Sequence, residues 1–155
     1  MDGLSEYQGS LLRFVEMSSV RIVVDPDELH SGVVKALEKQ DIEIKITKLE
    51  AGNYEANNRI AFERMTIYDF LKSIFEDRKL LSRIKDLANS YERPILIIEG
   101  DDPFFSDRTI NPTSIQSFLK TIAVSFRVPT LYTLNEAETA EIISSIARAE
   151  QADEI

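Results

Sequence analysis

An α/β domain on a mixed, mostly parallel sheet is predicted by three features of the 155-residue chain. Short β-branched runs alternate with segments whose apolar residues recur at helical spacing, in the order β-α-β-β-α-β-α-β-α. The apolar fraction of 43% suits a folded chain with one core. The most apolar run, Ile95-Leu96-Ile97-Ile98, follows Pro94 and reads as a strand buried on both faces at the centre of the sheet.

Each element has its own signal. Arg21-Ile22-Val23-Val24 is a short strand that stops at Asp25-Pro26, because proline cannot donate to a central ladder. Leu29, Val33, Val34 and Leu37 predict a helix over 28–39. Ile42, Ile44 and Ile46 alternate with polar residues, the pattern of a half-buried strand. Gly52-Asn53 marks a turn, and Ile60 and Phe62 share one face of a strand over 59–64. These two strands, adjacent in the chain over 42–64, are expected to pair as an antiparallel hairpin.

Residues 67–91 predict two helices with a break near Asp77, and 101–112 a polar loop. Asn111-Pro112-Thr113-Ser114 opens a helix that buries Ile115, Phe118, Leu119, Ile122 and Phe126. Val128 to Thr133 is a strand, and 135–149 a closing helix with Ala137, Ala140, Ile143 and Ala147 inward. The expected organisation is an N-terminal extension over 1–20, a domain over 21–150 and a tail over 151–155. In the extension, Leu4, Leu11, Leu12, Phe14, Val15 and Met17 fit one face of a short helix that Gly9 weakens.

Composition excludes several kinds of chemistry. There is no cysteine, hence no disulfide, zinc thiolate or thiol nucleophile. No apolar run approaches the roughly 18–20 residues of a membrane span. The N-terminus has acids where a secretory leader has basic residues. A cytoplasmic location is expected for a prokaryotic chain, close to the nucleoid, and a nuclear one for a eukaryotic chain. The net charge of −9 opposes wholesale binding to a polyanion. Residues 59–93 nevertheless carry a net of +2, against −5 for 1–58 and −6 for 94–155. Contacts to a DNA backbone are therefore expected from Arg78, Lys79, Arg83 and Lys85. Pairing with Glu76, Asp77 and Asp86 is the competing reading of those bases.

The five glycines form neither GxGxxG nor a P-loop. The single histidine, His30, falls in the first turn of a predicted helix, where exposure is the default. Carboxylates are more informative. Asp25 leaves the first strand, Glu28 follows three residues later, and Glu63 lies ten residues after Asn53. A turn that sets residue 53 beside residue 63 would turn Asp25, Asn53 and Glu63 toward one pocket. Hard divalent cations favour such oxygen donors, and a bound ion could activate water against a phosphodiester. Acids at strand ends also serve as plain caps, so the residues alone leave both readings open.

The order and spacing of these segments resemble the XPF-family nuclease domain, including the archaeal Hef-type proteins. That family has a strand ending in Val-Asp-x-Arg-Glu, then Gly-Asp-Tyr, then Glu-Arg-Lys ten residues after that aspartate, then Asp-Phe-x-x-Ser-Ile. Val24, Asp25 and Glu28 match the first element, Gly52 and Tyr54 the second, Glu63 and Arg64 the third, and Asp69, Phe70, Ser73 and Ile74 the fourth. The similarity runs from about residue 21 to 148. It implies a restriction-endonuclease-like three-layer fold and a PD-(D/E)xK-type site. Asp25, Glu28, Glu63 and Arg64 would be catalytic, Asp25 and Glu63 would hold Mg²⁺ or Mn²⁺, and Asn53 would be a weak ligand. It also implies action on branched or flapped DNA and dimers formed through the C-terminal halves, homotypic or with an active nuclease.

Three departures bear on the chemistry. Asp27 replaces an arginine, Asn53 the metal-binding aspartate, and Met65 the lysine. Asn53 brings no charge to a cation, and a thioether can neither orient a water nor stabilise a phosphorane. A silent nuclease-like domain that binds DNA or pairs with an active partner is therefore expected. A true nuclease with a remodelled metal site and a protein-interaction module are the alternatives. Tyr54 and Tyr68 could stack on a base, although packing is the commoner role of tyrosine.

Overall fold

The computed structural model describes residues 20–76, 79–101 and 111–152. Residues 1–19 of the N-terminal extension, Asp77 with the expected helix break, Arg78, most of the loop over 101–112 and residues 153–155 lie outside this set.

The chain runs β1 (Arg21–Val24), a 3-10 turn (Pro26–Glu28), α1 (Gly32–Glu38), β2 (Glu43–Ile46), β3 (Tyr54–Glu55) and β4 (Ile60–Thr66). It continues with α2 (Ile67–Glu76), α3 (Lys79–Ser90), β5 (Arg93–Glu99), α4 (Pro112–Lys120), a wide turn (Thr121–Ser125), β6 (Thr130–Thr133) and α5 (Glu136–Ala152). Six strands form one sheet in the order β2-β1-β3-β4-β5-β6. All neighbours are parallel except at β3, which is antiparallel to both β1 and β4. The mostly parallel sheet is thus as expected, while the hairpin is not. β2 pairs in parallel with β1, Ile22 opposite Ile44, after the α1 crossover. The short β3 makes the antiparallel pair with β4, Tyr54 opposite Phe62. β5 lies between β4 and β6, so it is interior, but β3 and β4 form the middle of the sheet.

Alternation along the strands divides the core into two layers. On one face Ile22, Val24, Tyr54, Phe62 and Ile97 pack against α1 (Val33, Val34, Leu37) and α5 (Ala140, Ile143, Ala147). On the other, Met65, Leu96 and Ile98 pack against α2, α3 and α4 through Phe70, Leu80, Ile84, Ile115 and Ile122. The result is a three-layer α/β domain.

Local chemistry sets the boundaries. The predicted helix over 28–39 starts later, because Pro26 opens a 3-10 turn and Ser31 then caps α1 by accepting the N–H of Val34. Asn111 caps α4 with Pro112 in its first turn, as the sequence indicates. Ala137 is exposed rather than inward; Thr139 and Ser144 are buried on α5 instead. α5 extends to Ala152, and Gln151 donates through Nε2 to the carbonyls of Arg21 and Ala56.

Candidate functional site

A cleft of about 490 Å³ opens between the C-terminal end of β1, the segment over 48–53, the middle of β4 and α3. Asp25, Asn53 and Glu63 all line it, together with Lys48, Arg83 and Asp86. The close approach of residues 53 and 63 expected from the sequence is therefore present.

Each member is positioned by backbone chemistry. Asp25 caps the 3-10 turn: Oδ2 accepts the N–H of Asp27 at 3.0 Å, and Oδ1 that of Leu49 at 2.8 Å. Gly52, at φ +82°, turns the chain so that Asn53 bridges two strands. The Asn53 N–H donates to Phe62 O at 2.7 Å, and its carbonyl accepts from Asp25 N at 2.9 Å. The Asn53 side-chain Oδ1 accepts the Arg64 N–H at 2.7 Å. Because that partner is a donor, the carbonyl end of the amide is turned to the backbone. Glu63 is only 2% exposed. Burial pushes its carboxyl above the ordinary carboxylate range, and the Arg83 guanidinium, which donates to Glu63 Oε1, opposes that shift without cancelling it.

The acidic trio of the sequence motif divides. Glu28 and Arg64 do not line the cleft; they meet on the other side of the sheet. Arg64 Nη1 donates to Glu28 Oε1 at 2.8 Å, while Nε and Nη2 form a fork on Glu99 at 2.8 and 2.7 Å. Glu136 of α5 lies 3.4 Å from Nη2. The Tyr54 hydroxyl donates to Glu28 Oε1 at 2.8 Å, and Thr139 donates to Glu99 at 2.6 Å. Burial disfavours the charge of Arg64, but the bonds to Glu99 and Glu28 outweigh it and raise its pKa. Burial likewise pushes Glu99 up, yet Arg64 and Thr139 win, and its carboxyl lies below the ordinary range. Tyr54 is buried, which with the adjacent Glu28 raises its hydroxyl pKa.

The degenerate positions have separate fates. Asp27 is exposed on the rim of the cleft. Met65 lies two residues from Glu63 on the same strand face, but it packs into the core and does not line the cleft. Among the predicted DNA-contacting bases, Lys79 and Arg83 lie one helical turn apart on α3, whereas Lys85 points some 200° away from Arg83. Arg83 alone of that group lines the cleft, and Arg78 is outside the described residues. His30 and Tyr68 are exposed.

Lys48, Glu99 and Glu136 carry no signal of a site role in the motifs above, and Asp86, expected only as a partner of the α3 bases, lines the cleft. Outside those motifs Glu99 had a legible signal, since it closes a strand just as Asp25 does.

A hard dication needs oxygen ligands free of competing cations. Here Glu63 carries a guanidinium, and Asn53 has its carbonyl on the backbone. Among the described residues, no group of three or more His, Asp or Glu side chains is arranged to hold a metal ion. In this arrangement the residues present do not fit Mg²⁺ or Mn²⁺.

Comparison with known proteins places the chain. Residues 24–146 match the ERCC4 domain family. A 3′-flap repair endonuclease, Xpf, from Saccharolobus solfataricus is 28% identical over 128 residues, covering 83% of this chain and 54% of the relative. A Methanocaldococcus jannaschii protein named for an ATP-dependent RNA helicase is 33% identical over 135 residues, 87% of this chain but 16% of that protein. The chain thus spans about half, or far less, of the length of these relatives. The structure of XPF from Aeropyrum pernix in complex with DNA superposes with a TM-score of 0.79 at 27% identity, covering 87% of this chain and 66% of that one. With a shared fold, strand-end acids and this match along most of its length, the chain belongs to the ERCC4 family of XPF-type nuclease domains, with the restriction-endonuclease-like fold.

Proposed function

We propose that this is a catalytically silent XPF-type domain that binds branched or single-stranded DNA in DNA repair, as a dimer with an active nuclease or a second copy. The observation that carries silence is the pairing of Asn53 with Met65. One places an uncharged amide, its carbonyl used by Arg64 N–H, where the family has a metal-binding aspartate. The other places a thioether in the apolar core where the family has a lysine. DNA binding is supported by the Aeropyrum pernix relative, whose structure is a complex with DNA. Lys79 of α3, with Arg78 beside it in sequence, is the region for backbone contacts.

Anisotropy of a labelled fork tests the binding. Affinity should fall with added salt, and Lys79→Glu should weaken it while lowering the salt slope by about one unit. Salt-independent binding, or none, would favour a protein-interaction module.

The competing reading is a divalent-metal-dependent nuclease with a remodelled site, in which Asp25 and Glu63 hold the ion. One observation favours it: both carboxylates line one cleft together with a cation, Arg83. Mn²⁺-dependent nicking of flapped DNA by the purified chain separates the two.

A further inference from the structure

Arg83 lines the cleft from α3, outside the motif positions that carry the family resemblance. Glu63 lies at the floor of the cleft with its side chain 3% exposed, and such a carboxylate needs a compensating charge nearby. The lining offers two cations, Lys48 and Arg83, against five acids: Asp25, Asp27, Glu50, Glu63 and Asp86. Arg83 is the one seen bonded to Glu63. It projects from α3 beside Leu80 and Leu87, three and four residues away on the same side of the helix, which with Ile84 fix α3 in the core. Its side chain remains 53% exposed, so it enters from the mouth of the cleft. A guanidinium and a hard dication cannot share one carboxylate oxygen without strong repulsion.

We infer that Arg83 is a built-in counter-cation that takes the place of a divalent ion on Glu63, and that removing its charge uncovers a dication site formed by Glu63 and Asp25. This rests on the reading of a silent domain. It adds the cause: the chain's own cation holds the acidic floor together without metal. Neutralising Arg83 changes the formal charge of the lining from −3, two cations against five acids, to −4. Charge count is a main determinant of dication affinity in oxygen sites.

Mn²⁺ titration followed by electron paramagnetic resonance of the free ion tests the inference on the full chain, on Arg83→Gln and on Arg83→Gln with Glu63→Gln. The expected result is binding at least about tenfold tighter to Arg83→Gln than to the unmodified chain, lost again in the double variant. Equal affinity in the unmodified chain and Arg83→Gln would overturn the inference, as would a gain that survives Glu63→Gln. Arg83→Gln leaves a buried carboxylate unpaired and can unfold. In that case millimolar Mn²⁺, but not NaCl of equal ionic strength, should restore its circular dichroism, and failure to do so would equally overturn it. Flap cleavage by the unmodified chain would overturn the silent reading, whereas unchanged Mn²⁺ affinity with no cleavage would overturn only the role of Arg83.

Discussion

Glu63 and Arg64 are neighbours on β4, yet their side chains leave for opposite faces of the sheet. Sequence similarity joins them in one motif, and alternation then assigns them different tasks. Glu63 faces the cleft, while Arg64 ties the 3-10 turn, β5 and α5 together through Glu28, Glu99 and Glu136. Its side chain is 11% exposed, so truncation strands buried carboxylates. Arg64→Ala should cost about 3–5 kcal/mol in urea unfolding, and Arg64→Lys should restore only part, since an ammonium cannot reproduce the fork on Glu99. The same network predicts a limb of acid sensitivity. Glu99 has a folded pKa below its unfolded value, which is about 4.3. Its stabilisation is present above that value and is lost as pH falls through the lower folded pKa, where the unfolded chain holds the extra proton. Glu99→Gln should flatten the dependence of melting temperature on pH below about 4.3; an unchanged slope would place the acid limb elsewhere. The role of Arg64 was not legible because its main partner is 35 residues away, at a distance where spacing along the chain carries no information. The site of Asp25 was legible because a strand end followed by proline fixes it locally.

At the scale of elements, periodicity located nearly every strand and helix, and it failed where an element is too short to have a period. β3 holds two residues, so the antiparallel pairing passed by default to the longer run over 42–46, which lies at the edge of the sheet. The turn before β3 was visible as Gly52-Asn53, and the structure gives the reason. Gly52 has φ +82°, and a Cβ there would come within 2.9 Å of Leu87 Cδ1 and 3.1 Å of Phe62 O. Gly52→Ala should therefore destabilise by about 1–3 kcal/mol, because strain and close contact add. It should also move Asn53 off β4, readable as faster exchange of the Arg64 amide proton. A stable variant with that amide still protected would show that the turn tolerates a side chain.

For the molecule as a whole, the charge distribution sets what approaches the cleft. A chain of net charge −9 with five acids around its cleft repels a phosphate there, while residues 59–93 remain net positive. The proposed silent domain accordingly has DNA contacts near Lys79 of α3 and no productive cut at Glu63. Fold and family were readable from motif order, because gapped matches over most of the chain constrain topology. The pairing of Glu63 with Arg83 was not, since it depends on how α3 is rotated over the sheet. The most direct measurement is single-turnover cleavage of labelled flap and fork DNA with Mg²⁺ or Mn²⁺, comparing the chain with Glu63→Ala. A silent domain gives no product above the Glu63→Ala background. Metal-dependent product that Glu63→Ala abolishes would contradict that reading.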